Sequence, residues 1–422
     1  MRILHLNTFD IKGGAARAAY RIHRTLKKHD QDSTMLVAKK KSCDFDVKSY
    51  NFSWQKKRKK LEEKVFSWQK SSNPSFHSIN LIPSGIYREI NKSVSDIVHF
   101  HWLGLQLISI EEIKKITKPI IWTLHDMWTF CGAEHYIDLN TSERYKEGYS
   151  KANRSFADKG IFDIDKWVWK RKQNHWKNIK FHFVTPSTWL ADCLKKSKLF
   201  LGQEATVIPN CLDTEIFRPK NKEVCRELFG LDREKKILLF GADGGGENPL
   251  KGFHLLQDAL KILANSTLLN EIQCVVFGGC NSEQKEVYGI STKHIGRITD
   301  DDQLANLYNA ADLFVMPSII DNLPNTIMEA MSCGTPCIGF NIGGIPELID
   351  HQENGFLVPL FSSLQLADGI QWLFSDMNRL TAFANTARTK VLKTYHPDII
   401  AEQYIALYQQ VLSDYSSQNR TC

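Results

Sequence analysis

Short apolar runs alternate with helix-period stretches along the whole chain. In the first half the runs are "RILHLN", "STMLVAK", "DIVHFHW", "PIIWTLH", "FHFVTPS" and "ATVIPN". The second half has "KKILLFGA", "QCVVFGG", "KHIGRI", "DLFVMPS", "PCIGF" and "GFLVP". Helical patterns such as "GAARAAYRIHRTLKKH", "STWLADCLKK", "FHLLQDALKILA", "DQLANLYNAA" and "NTIMEAMSC" lie between most of them. Near-continuous apolar strands separated by helices predict an α/β chain whose parallel sheets are covered on both faces. The runs divide into two doubly wound sheets of about six strands each, the usual size of that fold. The Pro- and Asn-containing "IPNCLDTEIFRPKNKE" is the natural seam. This predicts domains over 1–215 and 216–396. A helical tail over 397–422 has no strand after it, so it must pack back on an existing domain, and the N-terminal one is expected.

In such sheets the ligand sits beyond the carboxyl ends of the strands, so polar residues there carry the candidate chemistry. The densest stretch is "DNLPNTIMEAMSCGTPCIGFNIGGIPE", Asp321 to Glu347. Asp321 or Asn322 can cap a helix whose first turn holds Pro324, with Gly334 as its C′ glycine. A helix N-terminus is a ready anion site. Two carboxylates beside one, Asp321 and Glu329, suit a ligand that carries both phosphate and hydroxyl groups.

Two other strand–glycine–helix turns point the same way. "DIKGGAARAAYRI" puts Gly13 and Gly14 where a ligand can approach the backbone, and "LLFGADGGGENPLKGF" follows a strand with Gly241 and brings Lys251 to a helix entrance. Neither is a dinucleotide fingerprint or a phosphate loop of the Walker type. A tight turn and a surface lysine are the plain alternatives. His125 ends a buried strand in "WTLHDMW", and His99 and His101 share one face of "DIVHFHW". A metal site would need three convergent ligands from His99, His101 and His125, which is the less favoured reading.

Composition leaves this picture intact: 42% hydrophobic, 24% charged, 422 residues, enough for more than one core. No run approaches the ~20 apolar residues of a membrane span, and "MRILHLNTFD" reads as a first strand, so a cytoplasmic protein is expected. Ten scattered cysteines, Cys333 and Cys337 among them, read as buried hydrophobes. The net charge of +7 is uneven, with Trp54–Lys70 and Trp167–Lys180 mixing basic residues and tryptophan. These segments are solvated helix faces or contacts to an anionic membrane surface. No nucleic-acid-binding motif is present.

Together these motifs resemble the retaining glycosyltransferases of family 4, with the two-Rossmann GT-B architecture, over nearly the whole chain. "VIPNCLDTEIFRP" is similar to the family's interdomain signature, with Cys211 where Gly is usual. "DDQLANLYNAADLFVMPS" with "DNLPNTIMEAMSCGTPCIGFNIGGIPELI" is similar to its donor-binding core, and "DIVHFHW" with "WTLHDMWTFCG" looks like the bacterial exopolysaccharide, capsule and O-antigen subgroup.

The resemblance implies one ligand-binding cleft between two domains. It assigns Asp321 to the donor sugar hydroxyls and Glu329 to the nucleotide ribose. Amides near Asn322, Leu323, Asn325 and Thr326, with Lys251, Gly13 and Gly14, go to the diphosphate. Gly296 and Arg297 line the nucleobase pocket, Gly241 belongs to the donor loop, and His125 lies near the reacting centre. An Asp at 321 instead of the usual Glu, and Asp243 and Glu247 in place of an Arg before Lys251, are departures.

The implied reaction moves a sugar from a UDP- or GDP-sugar to a hydroxyl of an oligosaccharide or polyprenyl-pyrophosphate-linked acceptor. It proceeds with retention, without a metal or other cofactor and without nucleic acid. A non-catalytic sugar-nucleotide-binding partner and a GT-B epimerase are the alternatives.

Overall fold

The structure, a computed structural model, describes residues 1–51, 60, 64–65, 71–139, 143–160, 162–241, 244–279 and 286–420. The chain forms two compact units, Met1–Pro209 with Asp398–Cys422, and Asn210–Pro397.

The first unit is a seven-stranded sheet in the order β3-β2-β1-β4-β5-β6-β7. Its strands are β1 (Arg2–Phe9), β2 (Asp32–Lys39), β3 (Val47–Ser49), β4 (Ile97–Phe100), β5 (Ile120–Thr123), β6 (Phe181–Thr185) and β7 (Thr206–Val207). All neighbours pair in parallel. β4 and β5 are buried at every position, as a sheet with both faces covered requires. The helix Pro397–Arg420 belongs to this unit. The Tyr408 hydroxyl lies 2.7 Å from His99 Nδ1, and the Tyr404 hydroxyl 3.0 Å from Thr123 Oγ1.

The second unit repeats the plan in the order β10-β11-β9-β8-β12-β13-β14. Here β8 is Lys236–Gly241, β9 Ile272–Phe277, β10 Glu286–Val287, β11 Ile290–Gly296, β12 Leu313–Met316, β13 Cys337–Phe340 and β14 Gly355–Val358. Only the β10–β11 pair is antiparallel. Strand alternation splits the core into two layers. Leu239 and Phe314 face the helices Asp301–Ala310 and Asn325–Ser332, while Leu238, Phe240 and Val315 face Phe253–Leu263 and Ser363–Phe374. Each sheet has one strand more than expected. The additions, β3 and β10, are three and two residues long, too short to leave a periodic signature.

In each unit the chain starts in mid-sheet, winds to one edge, then returns to wind to the other. The reversals fall between β1 and β4 and between β8 and β12, and the open crevice at the carboxyl ends of those strands is where such sheets take ligands. Among the described residues no helix is long and apolar enough to cross a membrane.

Candidate functional site

In the second unit, the loops leaving β8 and β12 meet at the reversal point. Pro249–Lys251 forms a 3-10 turn capped by the Asn248 side chain, and Gly252 at φ 67° starts the helix Phe253–Leu263. A Cβ at Gly252 would lie 1.7 Å from the Pro317 carbonyl oxygen, so only glycine lets this loop lie against the end of β12. Ile319 N donates to Leu250 O at 3.0 Å and ties the two loops together. Lys251 Nζ then reaches Asp321 Oδ2 at 2.6 Å, both side chains remaining partly exposed.

The Gly-Gly turn after β13 closes around the same aspartate. Gly344 N donates to Asp321 O at 3.1 Å, and a Cβ at Gly343 would lie 2.1 Å from that oxygen. Asn322 N donates to Asp321 Oδ1 at 3.1 Å. The helix Asn325–Ser332 follows with Pro324 as its N-cap and no side-chain cap. The N-cap position thus falls on Pro324 instead of the expected Asp321 or Asn322, and the Asp321 carboxylate pairs with Lys251. Gly334 does adopt the left-handed conformation after the helix, at φ 77°.

Glu329 is buried one helix turn further in, and the Tyr308 hydroxyl donates to its Oε2 at 3.0 Å. Burial and the adjoining carboxylate raise the Tyr308 phenol well above its ordinary pKa, keeping it a donor. Two partners escaped sequence reasoning. Tyr308 lies in a helix that reads as ordinary core. Asn210, inside the seam motif, donates through Nδ2 to Asn325 Oδ1 at 3.1 Å and braces the loop.

Gly241 ends β8, where a Cβ would lie 1.9 Å from the Phe277 ring, so this glycine answers to packing. Gly296 ends β11 at φ 74° and accepts from Gly278 N at 2.8 Å, and the next residue, Arg297, is exposed. Thr326 Oγ1 turns to Met316 Sδ. Asp243 lies outside the described residues.

In the first unit, Gly13 caps the helix Gly14–Lys28 at φ 87°, with no acidic residue in its first turn. His125 stands just past β5, and burial lowers its pKa to about 4, so the ring is neutral. Burial also lowers His99 to about 3, and His5 and His101 well below the ordinary histidine value. The histidines that converge are His5, His99 and His101, whose ligand atoms lie within 4.8 Å of one another. His125 joins through His101 instead, and His5 was missed because one polar position in a buried strand looks incidental.

This trio is a poor metal cradle, since nearly all its ring nitrogens are engaged. His99 pairs with Tyr408 and Thr123, and His101 pairs with His125 and with His5 Nδ1. Only His5 Nε2 lacks a partner among the described residues.

The basic, tryptophan-bearing segments separate. Trp54–Lys70 lies outside the described residues except for Lys60, Lys64 and Val65. In the other segment, Trp167–Lys180, two of the three tryptophans turn inward. Trp169 and Trp176 are buried in the helix Ile164–Trp176. Fully buried Lys172 donates to the carbonyls of Trp128, Cys131 and Gly132 and lies 3.9 Å over the Trp128 ring. Arg171 pairs with Glu111 at 2.7 Å. Here Trp169 and Trp176 are core and Lys172 and Arg171 satisfy carbonyls and a carboxylate, while Trp167 is half-buried and Lys170, Lys177 and Lys180 are exposed. Cys333 and Cys337 are buried and free, as expected.

Comparison with known proteins covers both units. Residues 226–390 match the family model of glycosyl transferases group 1, and residues 12–216 match that of Glycosyltransferase Family 4. The N-acetyl-alpha-D-glucosaminyl L-malate synthase of Bacillus anthracis is 23% identical over 50% of this chain and 55% of its own length. The D-inositol 3-phosphate glycosyltransferase of Corynebacterium urealyticum is 24% identical over 75% of this chain and 72% of its own. The chain spans about half the length of the first curated relatives it matches. In fold it is similar to sucrose-phosphate synthase from Thermosynechococcus elongatus, with TM-score 0.69, 16% identity, and coverage of 98% of this chain and 100% of that one. It is also similar to the Anabaena protein HepE in complex with UDP-glucose, with TM-score 0.66, 17% identity, and coverage of 99% and 100%.

Proposed function

We propose that the chain, whose two units match the models of glycosyl transferases group 1 and Glycosyltransferase Family 4, transfers a sugar from a nucleotide-diphosphate donor to an acceptor hydroxyl. The observation that carries the reading is the 2.6 Å contact of Lys251 with Asp321 at the reversal point of the second sheet. A cation and an anion set side by side serve the two ends of a sugar-diphosphate. The ammonium neutralises phosphate and the carboxylate accepts from sugar hydroxyls. The helix Asn325–Ser332, with no side-chain cap, adds backbone amides and its dipole for the diphosphate. Glu329, oriented by Tyr308, is assigned to the ribose hydroxyls.

The finer reading is ours as well. The donor is a UDP- or GDP-sugar, and transfer retains configuration without a metal. As the sugar–phosphate C–O bond breaks, the acceptor oxygen attacks from the same face and its proton passes to the departing phosphate oxygen. Lys251 and the helix amides stabilise the charge gathering on that phosphate, an electrostatic contribution. His125, neutral at physiological pH, orients the donor sugar. A lipid-linked glycan acceptor in bacterial surface polysaccharide synthesis is supported by "DIVHFHW" and "WTLHDMWTFCG".

The test is a thermal-melt series with UDP, GDP, their glucose and N-acetylglucosamine sugars, and NAD. A ligand at a hundredfold its dissociation constant adds about 2.7 kcal/mol, which shows as a shifted melt. A shift with one nucleotide class, lost in Glu329→Ala, supports the reading. A shift with NAD alone, or with none of them, overturns it.

A further inference from the structure

Three histidines of the first unit, His5 and His101 buried and His125 half-buried, stand head to tail across neighbouring strands. His5 lies in β1, His101 directly after β4, and His125 two residues past β5. The register pairs His5 with His99, so each link crosses one strand and advances toward the carboxyl edge. His5 Nδ1 lies 2.9 Å from His101 Nε2, and His101 Nδ1 lies 3.1 Å from His125 Nε2. The rings are stacked at both links, with centroids 5.2 Å and 5.4 Å apart. The same pair of ring nitrogens is used twice in the same sense, which gives the chain a direction.

We propose that His5 and His101 are positioning residues that fix the tautomer of His125, placing its proton on Nδ1 and committing its Nε2 as an acceptor from His101. The proposal rests on reading His125 as a site residue; the tautomer itself does not. A neutral imidazole carries one N–H, and each link needs one donor and one acceptor. Only two proton arrangements satisfy both links: every ring protonated on Nδ1, or every ring on Nε2.

The inner end decides between them. His5 Nε2 has no hydrogen-bond partner among the described residues, and His5 is fully buried. His99, the nearest ring at 4.9 Å, has both nitrogens engaged by Tyr408 and Thr123 and offers no acceptor. With every proton on Nδ1, the orphan is a lone pair. In the alternative it is a buried N–H with nowhere to donate, the rarer of the two defects. The hydrogen-bond network therefore assigns the tautomer. His125 then meets its other partners through an Nδ1–H donor. That suits orienting a sugar or backbone oxygen and does not suit removing a proton.

The experiment is nitrogen-15 NMR of the full chain with labelled histidine near pH 7.5, with signals assigned by single His→Asn variants. Protonated Nδ1 and unprotonated Nε2 on His5, His101 and His125 are expected. Protonated Nε2 on His125 overturns the proposal. His5→Met keeps apolar volume and removes the inner donor. It should turn His125 into a tautomer mixture and lower kcat about 10- to 100-fold, the usual cost of losing an outer partner of a functional histidine, with donor KM within about twofold. His5→Asn returns an amide N–H near the lost Nδ1 and should restore both. An unchanged His125 signal in His5→Met also overturns it. Should His5→Met fail to fold, the spectra of the unsubstituted chain and of His5→Asn decide. Absence of transfer with every donor in the unsubstituted chain would sink the enzymatic reading and leave the tautomer assignment standing.

Discussion

Lys251 and Asp321 come from loops after different strands and meet at 2.6 Å where the second sheet reverses its winding. With its side chain one-quarter exposed, the lysine adds little to stability through this pair, of the order of 1 kcal/mol or less. Its weight falls on the ligand instead. Lys251→Met should fold with a nearly unchanged melt and lose about 10²- to 10³-fold in kcat, the range for removing one preorganised donor. Steady-state transfer beside calorimetry checks this, and a variant that loses stability but keeps kcat would refute it.

Tyr308→Phe removes the hydrogen bond to Glu329 Oε2 and nothing else of its shape. The buried carboxylate then loses a donor, costing about 1–3 kcal/mol of stability. Nucleoside diphosphate affinity should weaken with it, read by isothermal titration with UDP and GDP. Unaltered affinity and unaltered melting together would separate Glu329 from this site.

Gly252→Ala tests the loop. Its φ of 67° and the 1.7 Å approach of a Cβ to Pro317 O combine backbone strain with a clash against rigid backbone. Gly202, at φ 77°, has nothing within 4 Å of its Cβ position. Gly202→Ala should therefore cost about 1 kcal/mol from strain alone, and Gly252→Ala clearly more, with loss of nucleotide binding. Equal melts for the two would show that the loop can move away from β12.

Acid should loosen the first unit. Burial holds His23 and His125 to about 4 and His99 to about 3, all below the unfolded value of about 6.5. As pH falls below about 6.5, the unfolded chain binds protons that the folded one refuses. Stability is full above that value and is lost down to about pH 4, by up to about 1.4 kcal/mol per pH unit for each histidine. Nine of the ten tryptophans lie in residues 1–209, so urea melts followed by their fluorescence report this unit. A midpoint that rises between pH 7 and pH 5 would contradict the neutral, buried state of these rings.

The strands and the glycine turns were legible because they are local. "ILLF" and "LFVMP" are apolar at every position, and Gly334 marks its helix end by needing a positive φ. Of the site, Lys251 and Asp321 could be named from turns, but not that Gly343 and Gly344 would close on the Asp321 carbonyl. Partners set by register stayed hidden: Tyr308 under Glu329, Asn210 against Asn325, and His5 behind His101. The helix Ile164–Trp176 misled for a related reason. Basic residues and tryptophans look alike whether they face solvent or, as Lys172 does, a set of buried carbonyls.

The tyrosines that complete the first unit's sheet lie in its last helix, so synthesis delivers them late. The hydroxyls that meet His99 and Thr123 follow them by 309 and 281 residues. At ribosomal rates of about 5–20 residues per second, that delay is of the order of tens of seconds. The second unit is contiguous in sequence, and nearly all of it is synthesised during the interval. While the second unit is being made, the N-terminal sheet still waits for the helix that carries Tyr404 and Tyr408. It is in that window that a chaperone would have the most to do.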